Sequence, residues 1–252
     1  MQDLNIGFLI ANQSIIKSKG REFFYLLRTH LPAFTPFRYG AWEPLNNDFN
    51  FDNIEEPLQC WNHEYFVWKN KRHACEGIAS MENKFIHSSI DIIGKSKLVD
   101  CNQVVSFFLK TAELFKPDFA YIHLFSDEEL NTITEGINTT FYDMSMPFRT
   151  GISTYELQKY IPNLCWGTIF GSPYIKLFTR EHILSSPASK FQQLSENAIY
   201  IQLSENLTDL KSNYQSVNVS RKKVKQHLNN NAFLDFELGI KHQYNTPEFY
   251  FV

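Results

Sequence analysis

Apolar residues recur along this chain with two periods, and the changes of period mark its elements. Residues 4–11 form an apolar run of strand length. Over residues 15–31 the period turns helical, with Phe23, Phe24, Leu27 and Leu31 on overlapping faces and Pro32 as the stop. Gly20 weakens the first half, so this helix is expected to begin near Lys19. Residues 36–42 read as extended, and the Asn- and Asp-rich residues 46–56 as a loop. Three strand patterns then follow closely, at 63–69, 75–81 and 85–93, joined by connections short enough for an antiparallel meander. Residues 101–116 carry the widest apolar stripe, with Val104, Phe108, Ala112 and Phe115 along it; Asp100 caps this helix and Pro117 stops it. Residues 118–125 return to strand character. Ser126 then opens a short acidic helix, and residues 139–154 have no clear period and are expected to wrap the surface.

Residues 161–205 organise the rest. Leu164, Trp166, Ile169 and Phe170 make a short apolar run that Gly171 ends. Ser172 suits an N-cap with Pro173 at the first helical position, and Tyr174, Leu177 and Phe178 follow at helical spacing. Ser185-Ser186-Pro187 breaks the helix, and Ile199, Ile201 and Leu203 then alternate with polar residues as in a half-buried strand. Beyond Glu205 the chain is polar, with a helix over residues 217–228 and an aromatic tail, residues 233–252, forming a last strand or a docked arm. The expected fold class is α+β: largely antiparallel sheet, with helices packed on one face, in a single domain spanning 1–252 or two fused halves near 1–125 and 126–252.

Composition narrows the function. Hydrophobic residues are 43% and aromatics 15% of 252 residues, with 23 Phe, which argues for a packed core rather than disorder. The net charge of −3 disfavours a broad nucleic-acid-binding field. No stretch approaches the length of a membrane span, and the start of the chain has no basic, apolar export pattern. The four cysteines, Cys60, Cys75, Cys101 and Cys165, form no C-x-x-C pair and read as reduced thiols of a cytoplasmic protein.

Chemical motifs are weak. His63-Glu64 begins like a zinc-protease helix, but Val67 replaces the second His and the flanking rings favour a strand. Cys60 with His63 and His73 with Cys75 have poor spacing for zinc. Cys165, beside Trp166, reads as a small hydrophobe. Gly167 and Gly171 lack the Lys-Ser/Thr of a phosphate loop, and the run Arg221, Lys222, Lys223 and Lys225 reads as a solvated helix face. No catalytic, cofactor-binding or metal residue is therefore assigned.

Trp166, Gly167, Phe170, Gly171 and Tyr174, then Phe178, Arg180, Glu181, Leu184, Ser185 and Pro187, then residues 199–205, resemble bacterial polymorphic-toxin immunity proteins, in particular the group called immunity protein 52. Residues 66–72 and 85–92 are similar to that group's central strands. The resemblance implies an immunity protein that binds and neutralises a cognate toxin by direct contact. That toxin would be a nuclease with a restriction-endonuclease-type domain, delivered by contact-dependent or type VI secretion. It gives Trp166, Gly167, Phe170, Gly171, Tyr174 and Pro187 structural roles and implies no cofactor, nucleic acid or membrane partner. Acidic Asp127, Glu128, Glu129 and Glu135 are the expected interface, since acid imitates phosphate before a nuclease. The alternatives are a small hydrolase with an unmarked Cys/His site and a structural homo-oligomeric subunit.

Overall fold

The computed structural model describes residues 3–250 except 12, 73, 83–84, 126–128 and 130–151. It is an α+β fold in which the chain divides into two compact units, residues 1–117 with 250–252, and residues 118–249. Among the described residues no helix is long and apolar enough to cross a membrane.

In the first unit six strands run in the order β3 (Asn47–Asp48), β2 (Arg38–Gly40), β4 (Tyr65–Lys69), β5 (Cys75–Ser80), β6 (Ser88–Gly94), β1 (Leu4–Ile10), each antiparallel to its neighbour. The expected meander is β4-β5-β6. Its register aligns Phe66, Ala79, Ile90 and Phe8 in one row and Trp68, Gly77, Ile92 and Ile6 in the next. Both rows are on one face because side chains alternate along a strand. Gly77 is needed there: a Cβ would sit 2.0 Å from the Trp68 ring.

Helices α2 (Gly20–His30) and α4 (Cys101–Phe115) cover that face. Phe23 lies within ring-contact distance of Trp61, Trp68, Phe107 and Phe115, and Phe24 of Trp61, Phe66 and Trp68. Asp100 caps α4 as expected, in a capping box completed by Gln103. The helix of residues 15–31 begins near Lys19, as expected, in the form of α2, and a separate short helix, α1 (Gln13–Ser18), precedes it. One local expectation needs correction. The loop expected through residue 56 gives way to α3 (Glu55–Trp61), held by the buried Trp61, whose indole N–H donates to the Ile16 carbonyl at 3.0 Å.

In the second unit the strands are β7 (Phe119–Leu124), β8 (Gly167–Phe170), β10 (Ala198–Gln202) and β9 (Lys190–Ser195), again antiparallel in that order. Strands β7 and β8 are wholly buried; β9 is exposed along almost its whole length. The helix expected after Gly171 is α6 (Ser172–Phe178), preceded by α5 (Thr154–Leu157) and followed by α7 (Arg180–Leu184), α8 (Asp209–Ser212) and α9 (Tyr214–Leu228). Gly171, not Ser172, is its N-cap, so Pro173 sits one place further in. Thr179, at φ 63°, separates α6 from α7. The tail docks rather than forming a strand: Ile161 and Phe233 make a parallel bridge, and Tyr160, Leu234 and Tyr244 form a small buried cluster.

Candidate functional site

The motif that carries the sequence resemblance builds the middle of the second unit. Trp166 is fully buried; its indole N–H donates to Ser204 Oγ at 2.9 Å and its carbonyl accepts from Leu203 N–H at 2.9 Å. Gly167 lets the backbone approach Tyr200, whose ring and hydroxyl would lie 3.1 Å from a Cβ. Phe170, Tyr174 and Phe178 continue as a stack of rings that reaches Phe233. The Gly171 N–H donates to the Asp118 carbonyl at 2.9 Å, while Pro187 is exposed after α7.

Of the four acidic residues expected at an interface, Asp127, Glu128 and Glu135 lie outside the described residues. Glu129 is described, and its burial is the opposite of what an interface carboxylate needs: it is 1% exposed. One oxygen accepts from Arg221 Nη1 at 2.9 Å and the other meets His123 Nε2 at 2.7 Å. The Trp166 amide donates to His123 Nδ1 at 3.2 Å, so the ring proton sits on Nε2 and points at Glu129. This chain of bonds ties the end of β7, the motif backbone and α9 together. Burial alone works to raise the Glu129 carboxyl; His123 and Arg221, through both its oxygens, overcome that and hold it at about 2.

Cys165 is next to this triad. Burial pushes its thiol up to about 12, with Arg221 acting downward and Glu129 upward. An activated nucleophile needs the reverse, and the His123 nitrogen that would act as base already accepts the Trp166 N–H. Cys60 and Cys75 are likewise pushed up by burial, and His63 lies in the turn before β4. His73 lies outside the described residues. Among the described residues no three His, Cys, Asp or Glu side chains gather as metal ligands would.

Among the described residues, each unit carries a concave site. In the second, a cleft of about 410 Å³ is lined along α9 by Asn218, Arg221, Lys222, Lys225, Gln226 and, just beyond, Asn230. Lys222 and Lys223 are exposed, as the reading of a solvated face expects, but Arg221 departs from it at 3% exposed. The buried stripe of α9 is Tyr214, Val217, Arg221, Val224 and Leu228, so an arginine occupies a core position. Helical spacing of those five residues was a signal available in the sequence. Burial, then the neighbouring Arg221 charge, lowers Lys225 to about 8.

In the first unit a groove of about 500 Å³ runs beside Trp42 and Tyr65, with Gln59, Asn62 and Glu64 on its border. Trp42 is 65% exposed and its ring centroid stands 4.6 Å from that of Tyr65. Neither ring stands out in the sequence, where Trp42 closes the extended residues 36–42 and Tyr65 lies inside the strand pattern of residues 63–69.

No family model and no curated protein matches this chain. Among solved structures it is distantly similar to one described as the Pseudomonas aeruginosa T6SS protein PA0821, at 12% identity and a TM-score of 0.49, over 88% of this chain and 73% of that one.

Proposed function

We propose that this chain is an immunity protein that neutralises a cognate secreted toxin by direct contact, and that the toxin is a nuclease of the class implied by the resemblance around Trp166. The observation that carries the binding role is Trp42, an exposed indole on Tyr65 beside a groove edged with amide and charged side chains. Tightly held protein interfaces concentrate their energy in a few aromatic anchors inside a polar rim, and a ring already held against its neighbour loses little entropy when a partner covers it. Inhibition by coverage needs no reactive group, which accords with a Cys165 thiol raised rather than lowered.

Co-expression with a candidate nuclease toxin from a neighbouring gene tests this reading. Growth is rescued and the two proteins co-elute on gel filtration. Trp42→Ala weakens the complex about tenfold or more while leaving the fold intact. A failure to rescue, with no complex formed, overturns the immunity role. Full affinity in Trp42→Ala removes the groove from it.

A further inference from the structure

Arg221 is saturated on one side only. Its Nη1 donates to Glu129, but Nε and Nη2 are buried with no hydrogen-bond partner among the described residues. A guanidinium cannot shed its proton to escape that situation, as a buried lysine can. Nε–H and Nη2–H lie on one edge of the planar group, and that edge is the fork that takes two oxygens of a carboxylate or phosphate. Glu129 cannot supply them, since both its oxygens are engaged by His123 and Nη1.

The surroundings repeat the deficit. Three cations line the cleft, against the carboxylates of Glu129 and Asp235. Amide side chains of Asn218, Gln226 and Asn230 add neutral donors. Phe233 stands 5.2 Å beneath the Lys225 ammonium and narrows its freedom. A volume of about 410 Å³ is of the size that holds a small ligand.

We propose that this cleft is a binding site for an oxyanion, a phosphate or carboxylate group received by the free Nε–Nη2 edge of Arg221 and by the ammonium groups of Lys225 and Lys222. The group arrives either on a small phosphate-bearing molecule or as an acidic side chain of a docked protein. The site does not depend on the immunity reading, because the chain alone suffices to measure it.

Purified full-length chain is titrated with inorganic phosphate and, separately, with sodium acetate, at matched ionic strength in chloride. Melting temperature and the NMR titration of Lys225 are followed together. Saturable binding is expected, with the Lys225 titration moving upward from about 8 as an anion offsets the charge of Arg221. Lys225→Met weakens binding about tenfold, and Lys222→Met less. Lys223→Met, on the same helix but outside the cleft, leaves it unchanged. Saturation by phosphate with acetate inert assigns a phosphate group; saturation by acetate assigns a carboxylate group, whether a small molecule or a protein side chain carries it. Absence of saturation by either anion overturns the proposal. So does an equal loss in Lys223→Met, or stabilisation that leaves the Lys225 titration unmoved.

Discussion

In the first unit the layer between sheet and helices is made of rings. Phe23, Phe24, Trp61, Phe66 and Trp68 touch one another and are completely buried. In the second unit a guanidinium, a carboxylate and an imidazole sit just as deep. Rings stabilise through area and close packing, whatever the pH. A buried charge stabilises only while its partners are in place, and replacing the whole group by apolar residues is often neutral. The second unit therefore retains a costly arrangement, one that fixes α9 against the motif backbone and leaves an arginine with donors to spare. Reactivity toward a ligand is expected in that unit, and shape-based contact in the first.

Two substitutions test the contrast at its largest. Glu129→Ala strands the Arg221 charge in the interior and is expected to cost about 3–5 kcal/mol in urea unfolding. Phe23→Ala opens a void among five rings and is expected to cost about 3–5 kcal/mol as well. The two differ in rescue. Glu129→Leu combined with Arg221→Met should recover most of the loss, and a double mutant as unstable as Glu129→Ala would mean the charges are not the tie. Next in size, Gly77→Ala drives a methyl into the Trp68 ring and should cost roughly 1–3 kcal/mol.

Acid separates the units further. Glu129 takes up a proton at about 2 in the folded chain, against an ordinary value of 4.5. Its contribution is thus fully present above pH 4.5 and fades as the pH falls toward about 2. Acid unfolding of Glu129→Gln should lack this component, whereas that of Phe23→Ala should keep it. The smallest effect belongs to the α4 cap: Asp100→Ala should cost about 1 kcal/mol, read by thermal melting.

Legibility in the sequence followed how local each cause was. The Asp100 cap, the stripe of α4 and the meander of β4, β5 and β6 depend on residues a few places apart, and their spacing announces them. Strand β9 escaped notice because an exposed edge strand has no buried face to impose alternation: Lys190–Ser195 is polar and exposed nearly throughout. Helix α3 escaped because its anchor is the Trp61 bond to Ile16, 45 residues away.

The candidate sites follow the same division. By itself the sequence determined most of the element types, the Asp100 cap, the antiparallel meander of β4, β5 and β6 and the presence of a conspicuous motif around Trp166, all of which rest on short-range periodicity and turn chemistry. Tertiary structure alone decided that Glu129 is buried rather than displayed, because its partner Arg221 lies 92 residues further on. It alone decided that Trp42 stands on Tyr65 and that α9 presents a half-satisfied arginine to a cleft. The charge of a side chain is written in its identity, but the company it keeps is set only when distant segments close around it.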